Sequence, residues 1–133
     1  MKKSGLIYVA SPYYHNNHFV MVERWETTAK ACYILLQAGY NVISPILHWH
    51  PVKKLGLPFE HVDKRLIEMN IKLLNCCDEI IVLTLNGWQE SLGVAEEIEY
   101  ARINSIPVTY INSAEMFATI NKFDKGVKDG YSN

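Results

Sequence analysis

Residues 79–111 read EIIVLTLNGWQESLGVAEEIEYARINSIPVTYI, and this stretch decides the fold. Its first part, 79–85, is a run of β-branched and apolar residues, the clearest strand pattern in the chain. Asn86-Gly87-Trp88 supplies a turn, and from 92 to 104 Val94, Ile98 and Ala101 recur at helical steps. Pro107 then opens a second β-type run, 107–111. Strand, helix and strand in succession are the unit from which parallel sheets covered by helices are built.

The same alternation continues upstream. Residues 5–10, GLIYVA, form a short apolar run stopped by Ser11-Pro12, as suits a strand buried on both faces. From 19 to 38 Val22, Trp25, Ala29, Cys32 and Leu36 recur at three- and four-residue steps, with Gly39 placed as the residue after the C-cap. Residues 41–44, NVIS, form a second short strand. The following segment 45–58, PILHWHPVKKLGLP, holds three prolines and is expected to be a long irregular connection with a functional or lid role. After Pro58, Leu66, Ile67, Met69, Ile71, Leu73 and Leu74 mark a helix running to Cys76-Cys77. Ser113 is expected to cap a short helix over 114–121, and 122–133 is a polar tail. The expected fold is a small doubly wound α/β domain over 1–121 with helices on both faces. Ligands in such sheets bind beyond the carboxyl ends of the strands, which gathers loop 11–18, segment 45–58 and turn 86–91 around one crevice.

Composition agrees with one compact domain. The chain has 133 residues, 49% of them hydrophobic and 20% charged, enough apolar side chain for a core and too little charge for a disordered chain. Thirteen Lys plus Arg against 14 Asp plus Glu leave a formal net charge of −1. That balance provides no field for a nucleic acid polymer. No apolar run approaches the roughly 20 residues of a membrane span, so no membrane partner is expected. Lys2 and Lys3 precede an apolar run that ends at Ser11-Pro12, too short for a secretory signal. Three cysteines, two of them adjacent, suit reduced thiols. The expected location is cytoplasmic.

The candidate chemistry gathers at the start of the 92–104 helix. Ser91 is a natural N-cap, and the free amides of Leu92, Gly93 and Val94 would point into the crevice, where an anion is favoured. Gly93 removes a side chain where a ligand would approach the backbone, or serves only packing. At about 100° per residue, Glu96 and Glu99 fall away from the apolar stripe, whereas Glu97 lies only about 60° from its centre. Such a carboxylate is either a boundary glutamate reaching water or a partly desolvated group of catalytic type. Tyr8, inside the first strand and beside the third, is within range of Glu97 or is simply core. Asp78 stands at the amino end of the third strand, where an acid more often terminates an element than catalyses. Arg24 faces either a phosphate or solvent. His48 and His50 invite a metal reading, but zinc catalysis wants three protein ligands and the chain has neither HExxH nor CxxC. His48, Trp49, Tyr13 and Tyr14 instead suit a lid with stacking platforms for a base or sugar. No metal or cofactor is implied.

IYVASPY (7–13), SPI with a nearby histidine (44–48), CDEIIVL (77–83) and GWxxSLGVxxEIxxA (87–101) together resemble the nucleoside 2-deoxyribosyltransferase-like superfamily, and within it the small DUF1937-type proteins of bacteria and phages. The resemblance covers about 6–111, and Ser-Leu-Gly-Val-x-x-Glu is its most specific part. It implies a flavodoxin-like sheet of four to five strands in the order 2-1-3-4-5, a homodimer or larger homo-oligomer, and cleavage of an N-glycosidic bond. By position Glu97 matches the nucleophilic glutamate, Tyr8 the tyrosine that orients it, and Asp78 an acidic residue at the entry to the third strand. Ser91 falls where nucleoside 5′-monophosphate N-glycosidases have serine, which implies a phosphorylated ligand. Ser11, Tyr13, His48, Trp88, Ser91 and Gly93 are the expected substrate-binding residues.

The implied chemistry is physically coherent. Breaking the bond from sugar C1′ to a base nitrogen builds positive charge on the ring, which a fixed carboxylate stabilises and then bonds. Water or a second base releases the sugar, and the leaving base takes its proton from a bound water, Asp78 or His48. Two other functions use the same residues: a binding protein that holds a nucleotide or NAD-derived molecule without chemistry, and a metal-dependent hydrolase built on His48 and His50.

Overall fold

The computed structural model describes residues 3–56, 64–116 and 118. Four strands, β1 Leu6–Ala10, β2 Asn41–Ile43, β3 Glu79–Leu83 and β4 Val108–Ile111, form one sheet in the order β2-β1-β3-β4. All three pairings are parallel, with Tyr8 opposite Ile43 on one side and Ile80 on the other. This is the expected doubly wound α/β fold, with its described strands in the expected order.

The two central strands are sealed on both faces, as a parallel sheet requires. Successive side chains alternate, so Ile7, Val9, Ile81 and Leu83 turn toward α1 (His18–Gln37) and pack with its Ala31, Ile34 and Leu35. Tyr8, Ala10, Ile80 and Val82 turn the other way, onto Leu74 of α3 (Lys64–Leu74) and onto Val94 and Ala101 of α4 (Leu92–Ile103). Tyr8 thus enters the same layer as α4.

Local chemistry explains the boundaries. Asn17 caps α1 by accepting from Phe19 N at 2.9 Å. Gly39, at φ 92°, takes the left-handed turn that ends the helix and feeds β2. Asp78, just before β3, joins the amino ends of two strands: its carboxylate accepts from Leu6 N at 2.8 Å and its own N–H donates to Leu6 O at 2.8 Å.

Segment 45–58 departs from expectation. Its first part is helical: α2 spans Pro45–Lys53. Ser44 is extended, and Pro45 at the first turn has its φ already set for a helix. Pro51 lies inside and removes one backbone bond. Side-chain packing offsets that loss, with the His50 ring stacked on Trp25 of α1 at 4.4 Å and Trp49 Nε1 donating to Asn70 Oδ1 of α3 at 3.1 Å. Pro58 and the start of the next helix lie outside the described residues. Residues 113–116 and 118 are helical, while the rest of the expected 114–121 helix and the 122–133 tail also lie outside. Among the described residues no helix is long and apolar enough to cross a membrane. Cys32, Cys76 and Cys77 are free thiols.

Candidate functional site

A cavity of about 240 Å³ opens at the carboxyl end of the sheet. Its floor is Val9, Ala10 and Ser11 of β1 and the residue after it. The α2 residues Pro45, Ile46, Trp49 and Lys53 line one side, and Ser91 through Gly93 with Glu97 of α4 line another. Because β1 lies between β2 and β3, helices that follow those two neighbouring strands rise on either side of the floor.

The mouth of α4 is built as its sequence suggests. A 3-10 turn, Trp88–Glu90, brings the chain to Ser91, whose Oγ accepts from Val94 N at 3.3 Å. A Cβ on Gly93 would meet no protein atom within 4 Å. The volume that this glycine leaves free therefore belongs to the cavity and not to a packing contact.

Glu97, a turn and a half further in, is 8% exposed yet lines the cavity. Burial pushes its carboxyl up from 4.5 to about 7, and the nearby Tyr8 hydroxyl acts in the opposite sense. Tyr8 is fully buried, and its own titration is raised by burial first and then by the Glu97 charge. The hydroxyl lies within electrostatic reach of the carboxylate without a well-formed hydrogen bond, since Tyr8 Oη has no partner of proper geometry. Glu97 is thus a carboxylate poised near neutral pH on an apolar wall.

Five of the expected residues, Ser11, Tyr13, Ser91, Gly93 and Glu97, meet at this cavity, with Tyr8 behind Glu97. Ser11 is buried and its Oγ accepts from Thr28 Oγ1 at 2.9 Å. Three others lie elsewhere. Asp78 is at the amino end of the sheet, bonded to Leu6, so it ties strands together away from the cavity. His48 is exposed on α2, its ring edge against Trp49. Trp88 packs beside Tyr110 with ring centroids 5.6 Å apart and belongs to the sheet's flank. None of these three lines the cavity. The Arg24 guanidinium donates to Tyr14 O and Asn86 O, each at 2.9 Å, and so ties the loop after β1 to the turn after β3.

The histidine that matters is His50. It is 2% exposed, its Nδ1 lies 2.6 Å from the Tyr13 hydroxyl, and its Nε2 is buried without a partner. Burial, followed by Lys54, His18 and Lys53, holds its titration below the usual histidine range. A neutral imidazole therefore orients Tyr13 at the cavity edge. Above the Tyr13 ring, at 4.2 Å, stands the Lys53 ammonium, which also lines the cavity and which burial depresses to about 8. Ile46, Trp49 and Lys53 follow helical steps, a signal present in the sequence but hidden by reading the segment as a loop. Among the described residues no group of three His, Cys, Asp or Glu side chains converges as a metal site would.

The cavity thus sets a buried acid and a helix N-terminus on one wall and aromatic and cationic side chains on another. The chain belongs to the DUF1937 family, a domain of unknown function, whose pattern matches residues 5–113. No curated protein matches it.

Proposed function

We propose that this DUF1937 member cleaves the N-glycosidic bond of a nucleoside or nucleoside 5′-monophosphate, with Glu97 as nucleophile. The observation that carries the reading is a glutamate sealed from bulk water yet lining the cavity at the sheet's carboxyl end. The superfamily resemblance around Ser-Leu-Gly-Val-x-x-Glu points the same way. In its ionised form the carboxylate sits below C1′, stabilises the charge that develops on the ring, and closes a glycosyl ester as the base departs. Tyr8 orients it from behind. Ser91, Gly93 and the free amides of α4 accommodate the sugar or its phosphate. Water that enters completes hydrolysis, and a second base completes transfer. The working assembly is a cytoplasmic homodimer or larger homo-oligomer.

The test is base release, followed by chromatography, from a panel of nucleosides and monophosphates with and without acceptor bases. Wild type should liberate base, and Glu97→Gln, folded, should not. Unaltered release by the variant would remove the assigned role.

A second reading draws on the same titration. Because burial pushes the Glu97 carboxyl up to about 7, its neutral form is accessible at neutral pH and donates a hydrogen bond instead of attacking. A protein that binds a nucleotide or NAD-derived molecule without chemistry would use it so. Calorimetric binding with no base released over hours would favour that reading.

A further inference from the structure

The reaction proposed above leaves one proton unassigned. A nucleobase that departs as a bare anion leaves slowly, so an acid in the cavity must meet its nitrogen or carbonyl oxygen as the bond breaks. Asp78 is bonded to Leu6 at the far end of the sheet, and His48 is exposed outside the cavity.

Among the described residues lining the cavity, Lys53 is the cationic side chain. It ends α2, which rises from β2, whereas Glu97 lies on α4, which follows β3, so the two charges belong to different walls above β1. The Tyr13 ring, 4.2 Å beneath the ammonium, fixes its position, and the Tyr13 hydroxyl is itself held by His50 at 2.6 Å. A sugar over Glu97 therefore presents its base toward Lys53.

Resting on the glycosidic reading, we infer that Lys53 is the acid that protonates the departing base. As the C1′–N bond breaks, its electron pair stays with the base, which takes a proton from Nζ, while a Glu97 oxygen bonds C1′. Lys53 is then a neutral amine beside the glycosyl ester. It removes a proton from the water that attacks C1′, the Glu97 carboxylate leaves, and both groups return to their starting charge. A lysine lowered by burial to about 8 is suited to both halves, because it releases and recovers a proton near neutral pH.

The experiment compares wild type, Lys53→Met and Lys53→Arg on two compounds: the nucleotide that wild type cleaves best in the panel, and the para-nitrophenyl glycoside of the same sugar phosphate, whose phenolate leaves without a proton. On the nucleotide, kcat should fall roughly 100-fold or more in both variants, since the arginine guanidinium keeps the charge but does not release its proton. On the nitrophenyl compound the first release of phenolate, read as a pre-steady-state burst, should keep its wild-type rate in both variants, while steady-state turnover falls because the attacking water has lost its base. The fall in wild-type rate above about pH 8 should appear with the nucleotide alone. Lys53→Arg turning over the nucleotide like wild type, or an equal slowing of the first release step on both compounds, would overturn the assignment and leave the Glu97 reading standing. So would a rise in KM for the monophosphate with kcat unchanged, the pattern of a phosphate anchor. Wild type releasing no base from any member of the panel would remove the Glu97 reading itself, and the assignment with it.

Discussion

Tyr8 of β1 and Glu97 of α4 face each other inside the same buried layer, the hydroxyl without a formed hydrogen bond and the carboxyl raised to about 7. Tyr8 packs with Ile80, Val82, Val94 and Ala101, and Glu97 is 8% exposed at the cavity wall; in either place an apolar side chain would carry no desolvation cost. That uncompensated polarity has measurable consequences.

Tyr8→Phe removes the group that opposes the burial-driven rise of Glu97. The acid limb of the rate profile, expected near pH 7 in wild type, should move to higher pH, with a lower rate at neutrality. Because the hydroxyl has no formed partner, thermal stability should change little. A profile measured in both proteins checks this, and an unmoved acid limb would contradict it.

Glu97→Gln should stabilise the protein at alkaline pH. A folded carboxyl raised from 4.5 to about 7 contributes stability that is complete below 4.5 and lost as pH rises through 7. The cost in wild type at pH 8 is on the order of 3 kcal/mol. Thermal unfolding should therefore place the variant above wild type at pH 8, with the gap closing toward pH 5. A gap independent of pH would show that Glu97 is not desolvated.

His50 has the opposite sign. Its folded titration lies below the ordinary 6.5, so its contribution is present above that value and is lost as pH falls through 6.5, where the unfolded chain takes up the proton first. His50→Phe keeps a ring against Trp25 and should show a smaller loss of urea midpoint than wild type between pH 7 and 5. Comparing the two proteins at each pH cancels the contribution of Glu97. Parallel losses would contradict the buried neutral imidazole.

Gly87→Ala strikes the frame that holds the site open. The position has φ 90°, and an added Cβ would lie 2.6 Å from Arg24 Nη2. Both the left-handed backbone and the displaced guanidinium, which bonds Asn86 O and Tyr14 O, should cost more than about 1 kcal/mol together. Denaturant unfolding measures it, and an unchanged midpoint would contradict it.

How much of this was legible in the sequence depended on how local the signal is. Glu97 stood out because helical geometry fixes its angle to Val94, Ile98 and Ala101 within one element. The strand positions followed from alternation and from Pro12, Pro45 and Pro107 as breakers, and their order in the sheet from the resemblance. Helix α2 was not legible, because its stability comes from Trp25 and Asn70, which belong to other elements, while its own prolines argue for a loop. Losing that helix exchanged His50 for His48 and concealed Lys53. Asp78 was placed correctly at the amino end of the third strand and joined the candidate site only through the resemblance, whereas Trp88 packs beside Tyr110, a contact between elements that its own turn does not reveal.

The central claim is a bond between Glu97 and a sugar, and mass spectrometry of a trapped intermediate tests it most directly. A nucleotide bearing fluorine at the sugar 2′ position slows hydrolysis of the glycosyl ester more than its formation when the ester is the longer-lived species. After incubation and digestion, the account predicts one sugar phosphate, or one sugar, added to the peptide containing Glu97 and absent from Glu97→Gln. Base release with the label on another residue, or with no label at all, would contradict it.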